Sequence, residues 1–290
     1  MSADLSNKVI ITVALTGDLT PKAKFPSVPV TPDEIAEDAA KCVQAGASVV
    51  HIHVRDKETD RSCSDMNQLR QVVPMVKDRC SGIINLSTAG SVITGSAINE
   101  ESYDSRIAPV LELKPEMCSY DAGAFNWMSK APFTFQNTPR FCEKLAQACL
   151  DSDCKPEFEI FNPGMFGVVK YYVDQGLLRE PCHFQYILGV QGGLPAVPRS
   201  VFELENYRKE MFPNSTWSGM GISKGNLPCI YTCLALGGGV RVGLEDTSYY
   251  GKGVKATNEM LVARAARLVR ELGKEPATPD EAREILNIRQ

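Results

Sequence analysis

Two histidines one residue apart, His51 and His53, stand in the run Val49-Val50-His51-Ile52-His53-Val54, and the chain has only three histidines in all. Branched apolar neighbours favour a strand, and strand side chains alternate faces. Both imidazoles therefore project from one face while Val50, Ile52 and Val54 cover the other. Two such rings can present nitrogens to a single divalent ion, zinc being the usual choice. Strand histidines bonded to ordinary neighbours are the competing reading of the bare pair. Further polar residues share faces in other apolar runs: Ser119 with Asp121, Glu157 with Glu159, and Arg241 with Glu245. Two carboxylates entering a protein interior are costly unless one meets a cation. Ser87-Thr88-Ala89-Gly90 offers hydroxyls and small residues suited to a carboxylate or oxyanion, or else a capping turn. His183, at the start of its run, reads as structural.

These residues need a frame, and the chain supplies one by alternating strand and helix. Strands are expected at residues 9–15, 48–54, 83–87, 117–121, 157–162, 184–190, 215–219 and 240–244. Helices are expected at 32–44, stopped by Gly46, and at 66–77, 139–150, 165–174, 201–210 and 258–272. An additional helix covers 276–286. Eight units with strands too apolar for a surface sheet point to a (β/α)8 TIM barrel with an additional C-terminal helix. A doubly wound sheet is the alternative, but no Gly-x-Gly-x-x-Gly follows the first strand. No low-complexity linker divides the chain, so residues 1–290 read as one catalytic barrel domain.

Barrel closure has a geometric consequence. The eighth strand lies beside the first and the second lies on the first's other side. With neighbours ~4.8 Å apart, strands two and eight end roughly 10 Å from each other. Glu245 can then lean across strand one toward His51 and His53. A His-His-Glu set with an open position is a catalytic zinc arrangement. Taken alone, Glu245 reads first as a surface or salt-bridged carboxylate.

Composition narrows the classes. In 290 residues, 43% are hydrophobic and 23% charged, which describes an ordinary globular protein. A net charge of −4 with scattered Lys and Arg gives no reason to expect nucleic acid. No apolar run reaches the ~20 residues of a membrane helix, and the polar start shows neither signal nor transit peptide, so no membrane partner and a cytoplasmic location are expected. Ten cysteines contain no Cys-x-x-Cys, and reduced, mostly packed thiols are expected.

The ordered motifs together resemble the β-keto acid cleavage enzymes nearly end to end. They comprise residues 11–17, Pro29-Val30-Thr31-Pro32-Asp33-Glu34, His51-Ile52-His53-Val54-Arg55-Asp56, Leu86-Ser87-Thr88-Ala89-Gly90, Lys114-Pro115-Glu116-Met117 and Pro156-Glu157-Phe158-Glu159. They continue through residues 188–193, Arg241-Val242-Gly243-Leu244-Glu245-Asp246 and Tyr250-Gly251-Lys252-Gly253. The resemblance implies Zn2+ held by His51, His53 and Glu245. It implies that Ser87, Thr88 and Ser119, with Gly90, line the site for the keto acid carboxylate. Glu159, Arg241 and Asp246 would be the acid–base and charge-stabilising residues. The implied reaction exchanges groups between a β-keto acid and acetyl-CoA, releasing acetoacetate and a new acyl-CoA with no reduction or net hydrolysis.

The sequence departs from a relative where substrate is chosen. The member acting on 3-keto-5-aminohexanoate has a glutamate at the position of Leu19, where it meets the substrate amine. An apolar residue there leaves an ammonium unpaired, so a keto acid without an amine is expected. Relatives also imply a homo-oligomer, commonly a tetramer. The aromatic segment Phe125-Asn126-Trp127 with Pro132-Phe133-Thr134-Phe135 is either a lid or a subunit contact, the contact being favoured. A zinc amidohydrolase places its His-x-His on the first strand and needs more histidines than this chain has. A non-enzymatic metabolite-binding barrel would not require Arg241, Glu245 and Asp246 beside a metal.

Overall fold

The computed structural model describes residues 5–18, 20–90, 102–128 and 133–288. Eight parallel strands close into a barrel: β1 (Ile11–Ala14), β2 (Val49–Ile52), β3 (Ile83–Leu86), β4 (Met117–Asp121), β5 (Lys155–Ile160), β6 (His183–Leu188), β7 (Thr216–Gly221) and β8 (Gly239–Val242). The helices are α1 (Pro32–Ala45), α2 (Met66–Arg79), α3 (Tyr103–Leu113), α4 (Pro139–Ser152), α5 (Gly164–Asp174), α6 (Pro198–Met211), α7 (Asn226–Ala235), α8 (Asn258–Glu271) and α9 (Pro279–Leu286). Among these, α3 and α7 have no counterpart in the sequence reading. Pro109 lies inside α3, and α7 has the apolar run Leu-Pro-Cys-Ile rather than a helical stripe.

Alternation along each strand separates two environments. Val50, Ile52, Leu86, Tyr120, Phe158, Phe184 and Val242 join the large core between barrel and helices. At the floor of the barrel, Ile10, Val49, Ile83 and Met117 pack on Ala282 and Leu286 of α9. The terminal helix therefore plugs the end opposite the strand C-termini. Its start is fixed by a capping box between Thr278 and Glu281, with Pro279 at the first turn. Burying one Leu or Ile side chain is worth ~1.5–3 kcal/mol, so this plug anchors the floor firmly.

Strand eight is shorter than its apolar pattern suggested. It ends at Val242 because Gly243 adopts φ +149°, and a Cβ there would lie 2.0 Å from the Ala14 carbonyl oxygen. The chain turns at that point, with Asp246 and Thr247 donating their backbone N–H to the Gly243 carbonyl. Glu245 thus reaches the barrel mouth from a turn, and strict strand parity no longer governs it or Asp246. Strand two likewise ends at Ile52, and Val54–Arg55 pairs antiparallel with Ser62–Cys63.

Candidate active site

The C-terminal ends of the strands surround a cavity of about 110 Å³. His51 enters it from β2 and His53 from just past that strand's end, their ring centroids 5.0 Å apart. The Nε2 atoms of His51 and His53 lie 3.8 and 3.6 Å from Glu245 Oε2, and the three donor atoms fall within 4.8 Å of one another. A tetrahedral zinc with bonds of 2.0–2.1 Å separates its ligand atoms by about 3.4 Å, so the set is close to a ligating arrangement. Burial holds the His51 imidazole down to about pH 3, with Glu245 opposing and Arg241 adding to that shift. It stays neutral and keeps a lone pair for a metal. Glu245 Oε2 is buried and has no hydrogen-bond donor.

Local structure explains how Glu245 is aimed. Asn258, from the start of α8, accepts from the Leu244 N–H (2.7 Å) and donates to the Leu15 carbonyl (2.8 Å) and to Asp38 Oδ2 (2.6 Å). Thr20 Oγ1 donates to the Leu244 carbonyl at 2.7 Å. Gly17, at φ +50°, leaves room for the carboxylate arm, since a Cβ there would sit 2.3 Å from Glu245 Cγ. The fully buried Arg55 holds that loop by donating to the Gly17 carbonyl at 2.8 Å and to the Thr16 carbonyl at 2.5 Å. The arginine following the histidine pair therefore supports the third donor.

Arg241 is the hub of the site. It donates to Glu159 Oε1 (3.0 Å), Glu245 Oε1 (2.6 Å), Asp246 Oδ1 (3.1 Å) and Asp246 Oδ2 (3.2 Å). Burial opposes its charge, but Asp246, Glu245 and Glu159 overcome that and hold its pKa well above the usual arginine range. Burial likewise pushes Glu245 up, yet the Arg241 guanidinium pulls it well below the carboxylate range. Asp246 is pushed up to about 6, burial outweighing Arg241. Burial, then the Asp121 carboxylate, holds Glu159 well up, and the two are hydrogen-bonded carboxyls, with Asp121 also raised by burial. The two share one proton, and Asp121 also feels the buried Arg106 guanidinium.

The remaining sequence candidates separate. Ser87 and Ser119 line the cavity. Thr88 stands behind it, its hydroxyl donating to the Ser119 carbonyl (2.9 Å) while its N–H meets Ser119 Oγ (3.0 Å). Gly90 also lies outside the lining, its carbonyl accepting from Ser62 Oγ at 3.1 Å. Both are turned away because residues 87–90 pack under Arg106, which donates to the Thr88 carbonyl at 2.7 Å. Leu19 lies outside the described residues. Its neighbour Asp18 lines the cavity but accepts from the Ser62 N–H (2.7 Å) and faces Arg61 at 3.5 Å. His183 sits below the cavity, its Nδ1 2.8 Å from Thr216 Oγ1.

One wall was not foreseen. Phe161, Ile187, Met220 and Ile222 extend the inward faces of β5, β6 and β7 upward, joined by Val190. The hairpin of Phe125–Trp127 and Phe133–Phe135 closes over them, with Phe125 stacked on Phe161 at 4.0 Å. Phe125, Trp127 and Phe135 line the cavity, so the described part of the aromatic loop forms its wall. The signal was available: Phe161 is two residues beyond Glu159 and shares its parity.

A (β/α)8 barrel with a His-His-carboxylate cluster and an arginine–carboxylate hub at its mouth has the layout of a metal-dependent barrel enzyme. Residues 8–288 match the family described as BKACE, beta-keto acid cleavage enzyme. The chain belongs to the β-keto acid cleavage enzyme family. It is 34% identical over 288 residues to the 3-keto-5-aminohexanoate cleavage enzyme of Fusobacterium nucleatum subsp. nucleatum, covering 99% of this chain and 100% of that one. It is 32% identical over 301 residues to the 3-dehydrocarnitine:acetyl-CoA trimethylamine transferase of Rhizobium meliloti, covering 99% of each. The apo structure of ObcA shares the fold, with a TM-score of 0.79 at 22% identity over 91% of this chain and 66% of ObcA; the chain spans about two thirds of ObcA's length. Among the described residues, no helix is long and apolar enough to cross a membrane.

Proposed function

We propose that this protein is a zinc-dependent β-keto acid cleavage enzyme that condenses a β-keto acid with acetyl-CoA and cleaves the adduct to acetoacetate and a new acyl-CoA. The observation that carries the reading is one cavity holding the His51, His53 and Glu245 donor set against the Arg241–Asp246 pair. Bound zinc would supply Lewis acidity, stabilising negative charge on the keto acid's oxygens.

The chain's own groups do the rest. Asp246, with its carboxylate pKa near 6, takes the proton from the carbon between the two carbonyls. Arg241 is too strong a cation to serve as a base, so it orients Asp246 and offsets charge on oxygen during attack and cleavage. The carbanion attacks the thioester carbonyl and expels the CoA thiolate. That thiolate then attacks the former keto carbon, and the bond between the two carbons breaks. Glu159, sharing a proton with Asp121, can return one to the departing carbanion. Ser87 and Ser119 offer hydroxyls to the substrate carboxylate, and Thr88 and Gly90 shape the loop that presents them.

The substrate tail faces an apolar wall, and Asp18 is already engaged by Ser62 and Arg61. With Leu19 in place of a glutamate, the reading favours a neutral or apolar tail over an ammonium. The whole chain acts as one catalytic barrel in the cytoplasm, assembled as a homotetramer, with no nucleic-acid or membrane partner. The hairpin's outward residues Asn126 and Thr134 remain available for a subunit contact. Incubation of the zinc-loaded protein with acetyl-CoA and β-keto acids bearing neutral, anionic or ammonium tails tests the reading. Acetoacetate should form only when acetyl-CoA is present, fastest with a neutral tail; acetoacetate-free hydrolysis, or no turnover of any tail, would overturn it. Light scattering that finds a monomer at micromolar concentration would remove the tetramer.

A further inference from the structure

Three of the ten cysteines converge at the other end of the barrel. Cys118 lies near the start of β4, Cys149 in the last turns of α4, and Cys154 just before β5. All three are buried, and their sulfur atoms lie within 4.8 Å of one another, Cys118 Sγ and Cys149 Sγ being 3.5 Å apart. The turn between α4 and β5 creates this meeting. Asp153 takes a left-handed conformation at φ 50°, and the Cys154 N–H donates back to the Cys149 carbonyl at 2.9 Å. The helix end is thereby folded so that Cys154 returns over Cys149.

We propose that Cys118, Cys149 and Cys154 form a second cation site, a three-thiolate centre for one soft divalent ion of the zinc–cadmium class. Tetrahedral Zn–S bonds of ~2.3 Å place sulfurs about 3.8 Å apart, inside the spread seen here. A separate cavity of about 110 Å³ is lined by both Cys149 and Cys154, together with Lys155, Arg179 and Glu180. It gives the ion a way in and leaves the fourth position open to water. The three thiols give up their protons to solvent as the ion binds. Small buried thiols also pack well as ordinary core residues, and such packing binds no stoichiometric ion. The three ligands tie β4, α4 and the entry to β5 together, so the site is structural and remote from His51.

Titration of the reduced full-length protein with Cd2+ alone separates these outcomes, because thiolate-to-cadmium charge transfer in the ultraviolet does not arise from imidazole or carboxylate ligands. One equivalent should give the band in the wild type and equally in His51→Ala/His53→Ala, where the first site is removed. Cys149→Ser and Cys154→Ser should each weaken it by more than the ~10–100-fold that losing an outer partner of a metal site costs, while Cys42→Ser leaves it intact. Circular dichroism of each variant confirms that the barrel is folded, and either serine variant suffices. No stoichiometric band in the wild type, or a band surviving in both folded serine variants, would overturn the proposal.

Discussion

Replacing Arg241 with methionine removes the one cation that faces Glu159, Glu245 and Asp246. Each contact is 2.6–3.2 Å between heavy atoms. At an effective dielectric near 20, a unit pair about 4 Å apart is worth ~4 kcal/mol, so the ionised Glu245 and Asp246 together give roughly 8 kcal/mol of gross attraction. Desolvating the guanidinium consumes much of that, and breaking such a buried network costs about 3–5 kcal/mol net. The metal-free Arg241→Met protein should be less stable by that amount at pH 8, read from urea unfolding in the presence of a chelator. The pH dependence has a definite sign. Without Arg241, Glu159 and Asp246, already raised by burial, and Glu245, no longer held low, all titrate higher in the folded state. A group whose folded pKa is raised contributes stability at low pH that is lost as pH rises through that pKa. The deficit should therefore shrink at pH 5. A loss below ~1 kcal/mol at pH 8, or one no smaller at pH 5, would refute the hub. Arg241→Lys should recover only part of the stability, because an ammonium cannot span three carboxylates in a fixed fork.

His51→Ala and His53→Ala should each purify with at least one zinc fewer per chain than the wild type while far-ultraviolet circular dichroism stays unchanged; wild-type zinc content in both would exclude them as ligands. Asp38, pushed up to about 6 by burial despite the Asn258 hydrogen bond, contributes stability that is present below pH ~4 and lost as pH rises through 6. Asp38→Asn should thus be more stable than the wild type by up to ~3 kcal/mol at pH 8 and nearly equal at pH 4, with urea midpoints that do not diverge between these pH values counting against the shift. Leu19→Glu should raise kcat/KM for 3-keto-5-aminohexanoate relative to an uncharged keto acid of similar size by about tenfold or more, with zinc unchanged, and an unaltered ratio would move specificity elsewhere.

Much of this site could be read before any coordinates because its chemistry is carried by local alternation. His51 and His53 need only a strand to stand side by side, and the eight apolar runs supply the barrel that brings β8 within reach of β2. Glu245 was reached by that closure, although by an incomplete route. Its position depends on Gly243 leaving the strand, Gly17 making room and Asn258 pinning Leu244, all tertiary contacts. Thr88 and Gly90 show the limit from the other side. Their motif places them at a strand end, but only the packing of Arg106 decides which way the loop turns. The apolar wall was harder, since Phe161, Ile187 and Met220 look like ordinary strand residues until the barrel has an inside. The cysteine cluster left no spacing signature either, because Cys118 and Cys149 meet only when α4 packs on β4.

The central claim is a statement about which carbon bonds form and break, and isotope tracing reads it directly. The zinc-loaded protein would be given a neutral β-keto acid and acetyl-CoA labelled with carbon-13 in both acetyl carbons, and the products followed by NMR. If the keto acid's central carbon attacks the thioester and the adduct then splits, the label must appear in the terminal acetyl half of acetoacetate. The new acyl-CoA must be unlabelled and carry the keto acid's own acyl group. Label in the new acyl-CoA, or acetoacetate whose terminal half is unlabelled, would contradict the account.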